Sequence, residues 1–308
     1  MDTTRDTLLI MVPVDIDDTT LTSTTAPEDD YPAWLGTTTY SAGDRVIKSH
    51  RVYESGLSSN LNRDPDDINT RVGTLWWIDV SATNAWRIFD GQSSSTTVAS
   101  SPFTIVLRPG FISSVYAGGI KNTDQVDVTY RDSPGGAIVF SKTIVMEDSL
   151  PPDYYEYIFS PFRQKPDLVI DDIPPFALGE LTVTFTASSG NIEVGMCRVG
   201  DFMPMGTTQA GAEVTPKTYS RIKIDEFGNN EIVRRRSARD MSLDSYVPVM
   251  EADSVLDILE RLQDIPTICV ATRSDNHAAA RVFGLVKGKI RYVTDRHAFL
   301  SVTIQGLI

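Results

Sequence analysis

Between residues 102 and 200, apolar and polar positions alternate in short runs that turn residues separate. FTIVL precedes Arg108-Pro109-Gly110, VDVTY precedes DSPGG, and AIVFSKTIVM follows it. DLVIDDI runs into Pro174-Pro175, LTVTFTA precedes SSGN, and IEVGMCRVG closes the series. Period-two patterning with a turn signal roughly every ten to twelve residues predicts an all-β sandwich or jelly roll. Ahead of it, GQSSSTTVASS at 91–101 is low in complexity and reads as a loop.

The pattern changes on both sides of this stretch. Residues 8–16 read as one strand, and the polar DDTTLTSTTAPEDD that follows reads as a connector. Residues 31–80 hold three of the chain's four tryptophans. Within them, TYSAGDRVIKSHRVYES reads as a hairpin with Tyr40, Val46 and Val52 on strands and turns at Gly43-Asp44 and Ser49-His50. In the last hundred residues, YSRIKIDEFGNNEIVRRRSA predicts a long hairpin turning at Gly228-Asn229. ADSVLDILERLQDIP predicts a helix: Val255, Leu256, Leu259 and Leu262 fall at helical spacing, Ser254 and Asp257 suit a capping box, and Pro266 stops it. TICVATR, ARVFGLVKG, KIRYVTD and AFLSVTIQGLI read as strands, with VKGK at 286–289 a turn between two of them.

The expected fold is therefore mainly β. It comprises an N-terminal strand and connector (1–30), a small aromatic-rich β module (31–80), a β-sandwich or jelly roll (81–206) and a C-terminal α+β domain with one helix (207–308).

The stretch TLWWIDV at 74–80 poses a geometric problem. Neighbouring side chains on a strand point to opposite faces, so Trp76 and Trp77 do not share one core. One fills the module's interior and the other faces outward. The outward ring either offers a surface to a ligand or docks the module onto the sandwich beside Trp86.

Length and charge narrow the function classes. A chain of 308 residues has room for two or three domains. With 41 acidic and 28 basic residues it carries a net charge of −13, which disfavours nucleic acid as a partner. The front is the acidic part: residues 1–90 hold 7 basic and 15 acidic side chains, whereas 207–308 hold 14 and 13. Cys197 and Cys269 each lie in apolar runs and read as buried free thiols. LLIMVP near the N-terminus is too short for a signal peptide's core, and no run approaches the ~20 apolar residues of a membrane span. The expectation is a chain made in a cytoplasm, without membrane insertion.

Candidate chemistry is sparse. His50, His277 and His297 lack ligand spacing, and no GxSxG, phosphate-loop or GxGxxG pattern occurs. The acidic clusters Asp15-Asp17-Asp18, Asp64-Asp66-Asp67 and Asp171-Asp172 could offer oxygens to calcium but read better as solvated turns. No spacing marks the carboxylate pair of a glycosidase. The reading is a non-enzyme with no catalytic residue, metal or cofactor.

Residues 31–80 resemble the chitin-binding type 3 modules, also met as carbohydrate-binding modules on chitinases and cellulases. The matching positions are Trp34, Tyr40, Gly43-Asp44, Val46, Tyr53, Asn60, Pro65 and Trp76-Trp77. The resemblance implies a small aromatic core and an exposed aromatic that stacks on the apolar face of a pyranose. It nominates Trp77 as the stacking residue, with Trp76, Tyr53, Tyr40 and Trp34 as the other candidate carbohydrate-binding residues.

The whole chain also resembles virion-associated proteins of tailed bacteriophages. TNAWRIFDG at 83–91 and Tyr219-Ser220-Arg221 with Asp225-Glu226-Phe227-Gly228-Asn229 carry that likeness. The order of C-terminal elements resembles distal tail and tail-tube folds, which assemble by edge-to-edge sheet pairing.

These resemblances imply a structural component of a phage tail or baseplate, located in the virion. Its partners would be other tail or baseplate proteins, copies of itself and host surface polysaccharide. Docking would use the C-terminal domain, whose closing strand FLSVTIQGLI is expected to offer an unpaired edge. The alternative is a soluble carbohydrate-binding protein or an accessory module of a glycan-degrading system.

Overall fold

The computed structural model describes residues 7–92, 94–147, 155, 164–224, 230–234, 237–272, 279–294 and 296–307. The chain is mainly β, with several sheets and a helix near the C-terminus. It divides into two units. One comprises Met1–Asp15, Ile112–Val115 and Val199–Ile308; the other comprises Ile16–Phe111 and Tyr116–Arg198.

The first unit is a closed antiparallel barrel. Its six strands follow in the order Met196–Thr208 (from Val199 on), Thr7–Val14, Thr267–Val270, Arg281–Tyr292, His297–Gly306 and Ser237–Pro248. Ser237–Pro248 then pairs back onto the first through Thr207↔Tyr246 and Thr208↔Ser245. Closure brings backbones close at this seam. Gly206 adopts φ +90°, and a side chain there would run into the Tyr246 carbonyl. The buried Ser245 hydroxyl donates to the Met205 carbonyl at 2.7 Å, so the seam leaves this polar group satisfied.

Alternation decides which side chains turn inward. Along His297–Gly306 the residues Leu300, Val302 and Ile304 are buried, and along Ser237–Pro248 so are Met241, Leu243 and Val247. Leu8, Ile10, Cys269, Val282 and Val286 join the same cluster. The helix Val249–Arg261 adds Val255 and Leu259, and Leu262 follows at its C-cap. It packs against Arg281–Tyr292, Ser237–Pro248 and His297–Gly306. Gly288 permits that approach, because a Cβ there would lie 2.5 Å from Leu259 Cδ1.

Several expectations change here. The N-terminal strand belongs to this barrel and not to the connector: it pairs with Met196–Thr208 on one side and Thr267–Val270 on the other. VKGK at 286–289 is the middle of one twelve-residue strand rather than a turn, because Leu285–Gly288 stay in register with Thr303–Gln305 and Val302 of the closing strand. The closing strand has no free edge, since it lies between Arg281–Tyr292 and Ser237–Pro248. The helix begins at Val249, so Ser254 and Asp257 sit within it and do not cap it, and Leu256 is exposed. Arg221–Ile224 pairs with Asn230–Val233 as expected, but the Gly228-Asn229 turn lies outside the described residues.

The second unit holds a five-stranded antiparallel sheet in the order Ile138–Val145, Gln125–Arg131, Glu180–Thr186, Phe103–Leu107 and Leu21–Thr24. On the three central strands one face is fully buried: Phe103, Ile105, Leu107, Val126, Val128, Tyr130, Leu181, Val183 and Phe185. Phe103 and Phe185 pair across adjacent strands, with rings stacked at 5.5 Å. Two segments read as polar loops contribute strands. Leu21–Thr24 adds to the sheet edge beside Phe103–Leu107, and Thr97–Ser100 pairs with Asn191–Val194. Threonine-rich sequence suits an edge ladder, where backbone pairing does not demand apolar side chains.

Both cysteines are buried and free, and burial pushes the Cys197 thiol up to about 12. No described helix is long and apolar enough to cross a membrane.

Candidate functional site

The aromatic module lies within the second unit. Arg45–Lys48 and Arg51–Ser55 form the expected hairpin, and Trp77–Ala82 completes a three-stranded sheet. Ser49 and His50 occupy the two-residue turn with φ of 46° and 62°, the doubly left-handed geometry that matches strand twist. Thr39–Tyr40 pairs with Asn60–Leu61, and the buried Asn60 amide donates to the Trp76 carbonyl at 3.2 Å.

Register places Ser55 opposite Trp77, Tyr53 opposite Asp79 and Val46 opposite Tyr53, so these residues share one sheet face. The core on that face is Tyr40, Val46, Tyr53 and Trp77. Tyr40 meets Trp77 edge to face at 5.2 Å. Each polar handle is tied. Trp77 Nε1 donates to the Arg63 carbonyl at 2.9 Å, the Tyr53 hydroxyl donates to Asp66 at 3.1 Å, and the Leu35 N–H donates to the Tyr40 hydroxyl at 2.8 Å. Burial, then the Asp66 contact, pushes Tyr53 up to about 12.

This arrangement corrects the nominated stacking residue. Trp77 is 0% exposed and forms the centre of the module, so no sugar reaches its ring. Tyr40 and Tyr53 are buried with it. Trp34 and Trp76 are half-buried, packing against the core from its rim. The outward member of the pair is therefore Trp76, just before the strand begins.

Neither rim tryptophan presents a bare face. The Lys48 ammonium sits 4.2 Å from the Trp34 ring centre, and the Arg63 guanidinium lies 3.5 Å from that of Trp76. A separation of 3.5 Å is van der Waals contact between the guanidinium and the indole face, the distance that a stacked cation–π pair favours. Lys48 is also paired to Asp64 at 2.5 Å, and this contact holds the Asp64 carboxyl below the usual range. Sequence reasoning missed Lys48 and Arg63, because their stacking depends on a tertiary approach that no spacing encodes.

Docking beside Trp86 does occur, but His50 performs it. Its ring lies 4.4 Å from that of Trp86, and its two nitrogens face Asp18 at 3.0 Å and Glu28 at 2.8 Å. Glu28 also accepts from the Thr83 hydroxyl at 2.7 Å, and Asp30 pairs with Arg87 at 2.9 Å.

The acidic clusters have structural employment. Asp66 accepts from Ser49 at 2.6 Å, Asp67 caps the short helix Ile68–Thr70, and Asp17 takes the Thr19 and Thr20 donors of a turn. Hydrogen bonds from the Thr19 and Thr20 hydroxyls lower Asp17 to about 2. Among the described residues no group of three His, Cys, Asp or Glu side chains is placed to hold a metal ion. His297 stacks on Tyr246 at 4.5 Å, and His277 lies outside the described residues.

No family model and no curated protein matches the sequence. Among solved structures the chain is similar to CpGH89CBM32-6 produced by Clostridium perfringens, with 14% identity over 38% of this chain and 85% of that one, at a TM-score of 0.25. A superposition that loose carries no argument for fold or ligand.

Proposed function

We propose that this protein is a non-enzymatic structural component of a bacteriophage tail or baseplate, in which the barrel joins the particle and the inserted unit brings a glycan-contacting module. The observation that carries this reading is the insertion itself. Thr7–Val14 and the strands from Val199 onward build one barrel. The chain leaves that barrel after Asp15 and rejoins it at Val199, with the short segment Ile112–Val115 also belonging to the barrel's unit. An insert tethered at both ends suits a part that displays a contact surface on an anchored platform. The half-buried Trp34 and Trp76, on the module that resembles chitin-binding type 3 modules, supply the contact.

The test is size-exclusion chromatography with light scattering on the full chain, together with quantitative mass spectrometry of purified particles. Concentration-dependent oligomers and a fixed copy number per particle are expected. A monomer at every concentration, absent from particles, overturns the assembly role and leaves a soluble glycan-binding protein as the reading to pursue.

A further inference from the structure

The module has five cationic side chains, Arg45, Lys48, Arg51, Arg63 and Arg71. Four of them face carboxylates: Arg45 meets Glu54 at 2.8 Å, Lys48 meets Asp64 at 2.5 Å, Arg51 meets Asp79 at 2.7 Å, and Arg71 meets Asp79 at 3.9 Å. Arg63 differs. It is exposed, and among the described residues its guanidinium forms no ion pair and donates no hydrogen bond. Its guanidinium carbon sits over the Trp76 ring instead, 3.5 Å from the ring centre.

A guanidinium stacked by its face keeps its N–H edge free in the plane, where a carboxylate binds it through two parallel hydrogen bonds. The indole beneath holds that plane, and the Arg63 backbone is itself clamped through its carbonyl by Trp77 Nε1 at 2.9 Å. The neighbouring Asp64 is already engaged by Lys48. Trp76 also packs against the module core, so a neutral pyranose that stacks on the face under Arg63 must displace the cation. The chain carries a net charge of −13, but the carboxylate next to Arg63 in sequence, Asp64, is already paired with Lys48. A sugar carboxylate therefore gains locally from the cation that a neutral sugar must expel.

We infer that Arg63 on Trp76 is a recognition site for the carboxylate of an acidic polysaccharide, and that the module selects uronate-bearing over neutral chains. This rests on the reading of the module as a glycan contact. The partner is identified by a planar anion beside an apolar ring edge, which matches a planar donor fork beside an indole rim.

Calorimetric titration of the full chain with polygalacturonate and, separately, chitohexaose tests it at physiological ionic strength. Wild type is expected to bind polygalacturonate and to bind chitohexaose more weakly. Arg63→Gln should weaken polygalacturonate binding about tenfold or more, the loss of one charge-assisted bidentate contact, with an unchanged melting temperature. Arg63→Lys, which keeps the charge without the fork, should lose an intermediate amount. Unchanged polygalacturonate affinity in Arg63→Gln overturns the site. Chitohexaose binding to the wild type as tight as polygalacturonate binding overturns the acidic preference while the glycan reading stands. Binding to neither polymer overturns both.

Discussion

The barrel and the aromatic module solve the same problem with different materials. The barrel interior is built from Leu, Ile, Val and Met, and its backbone ladder runs closed around the ring. The module has four buried core side chains, and three of them are aromatic. A sheet of three short strands encloses too little volume for aliphatic residues to exclude water, so large rings must supply the buried area. Rings bring polar atoms inside, and each must be tied: Trp77 to Arg63, Tyr53 to Asp66, Tyr40 to Leu35. The barrel depends on topology, the module on individual side chains. Damage should therefore spread through the barrel and stay local in the module.

Deleting residues 1–15 should do the most harm. Leu8, Leu9, Ile10 and Met11 are at most 4% exposed, and their strand supplies pairing to both neighbours. Loss of hydrogen-exchange protection along His297–Gly306 is expected, and intact protection there would show that the ring tolerates opening. A chain ending at Gly206 should fail for the reciprocal reason, since it strips Thr7–Val14 of its Thr267–Val270 partner.

Trp77→Ala comes next, at about 3–5 kcal/mol for a buried aromatic. Its effect should be confined to Arg45–Ser55 and Trp77–Ala82 in hydrogen exchange, with the barrel's melting unchanged. A matching loss of protection in the barrel would break the contrast between the regions.

Leu259→Ala should cost about 2–3 kcal/mol, the low end for a buried leucine, because the bare Gly288 beneath lets the helix settle onto the strand. Denaturant unfolding reads it, and a cost as large as that of Trp77→Ala would mean the helix does not relax. Trp76→Ala should cost less, about 1 kcal/mol, since that ring is half-exposed. A loss equal to that of Trp77→Ala would return Trp76 to the core.

The smallest effect concerns Asp17. Its carboxyl is depressed from 3.8 to about 2 by the Thr19 and Thr20 hydrogen bonds, so its stabilising contribution is present above 3.8 and lost as pH falls towards 2. Melting temperatures of wild type and Asp17→Ala should differ above pH 3.8 and converge as pH falls towards 2. A gap that does not narrow over that window would place the stabilisation elsewhere.

Much of the architecture is written in local pattern. Period two marks Phe103–Leu107, Gln125–Arg131 and Glu180–Thr186 as strands with one buried face, and helical spacing marks Val255, Leu259 and Leu262. Gly43-Asp44 and Ser49-His50 announce their turns. The reason is that backbone propensity and side-chain periodicity act within a few residues.

Pairing partners are set elsewhere. That Thr7–Val14 joins strands some two hundred residues away, that Ser237–Pro248 closes a ring, and that VKGK runs straight through a strand follow from register between distant segments. The tryptophan pair shows the boundary between the two kinds of information. Strand alternation implies that Trp76 and Trp77 face apart, but Trp76 lies just before the strand and packs from the rim against the same core that Trp77 fills. Which of them is buried was decided by the pairing of Trp77 with Ser55, because a strand has two equivalent faces until a neighbour makes one of them the inside.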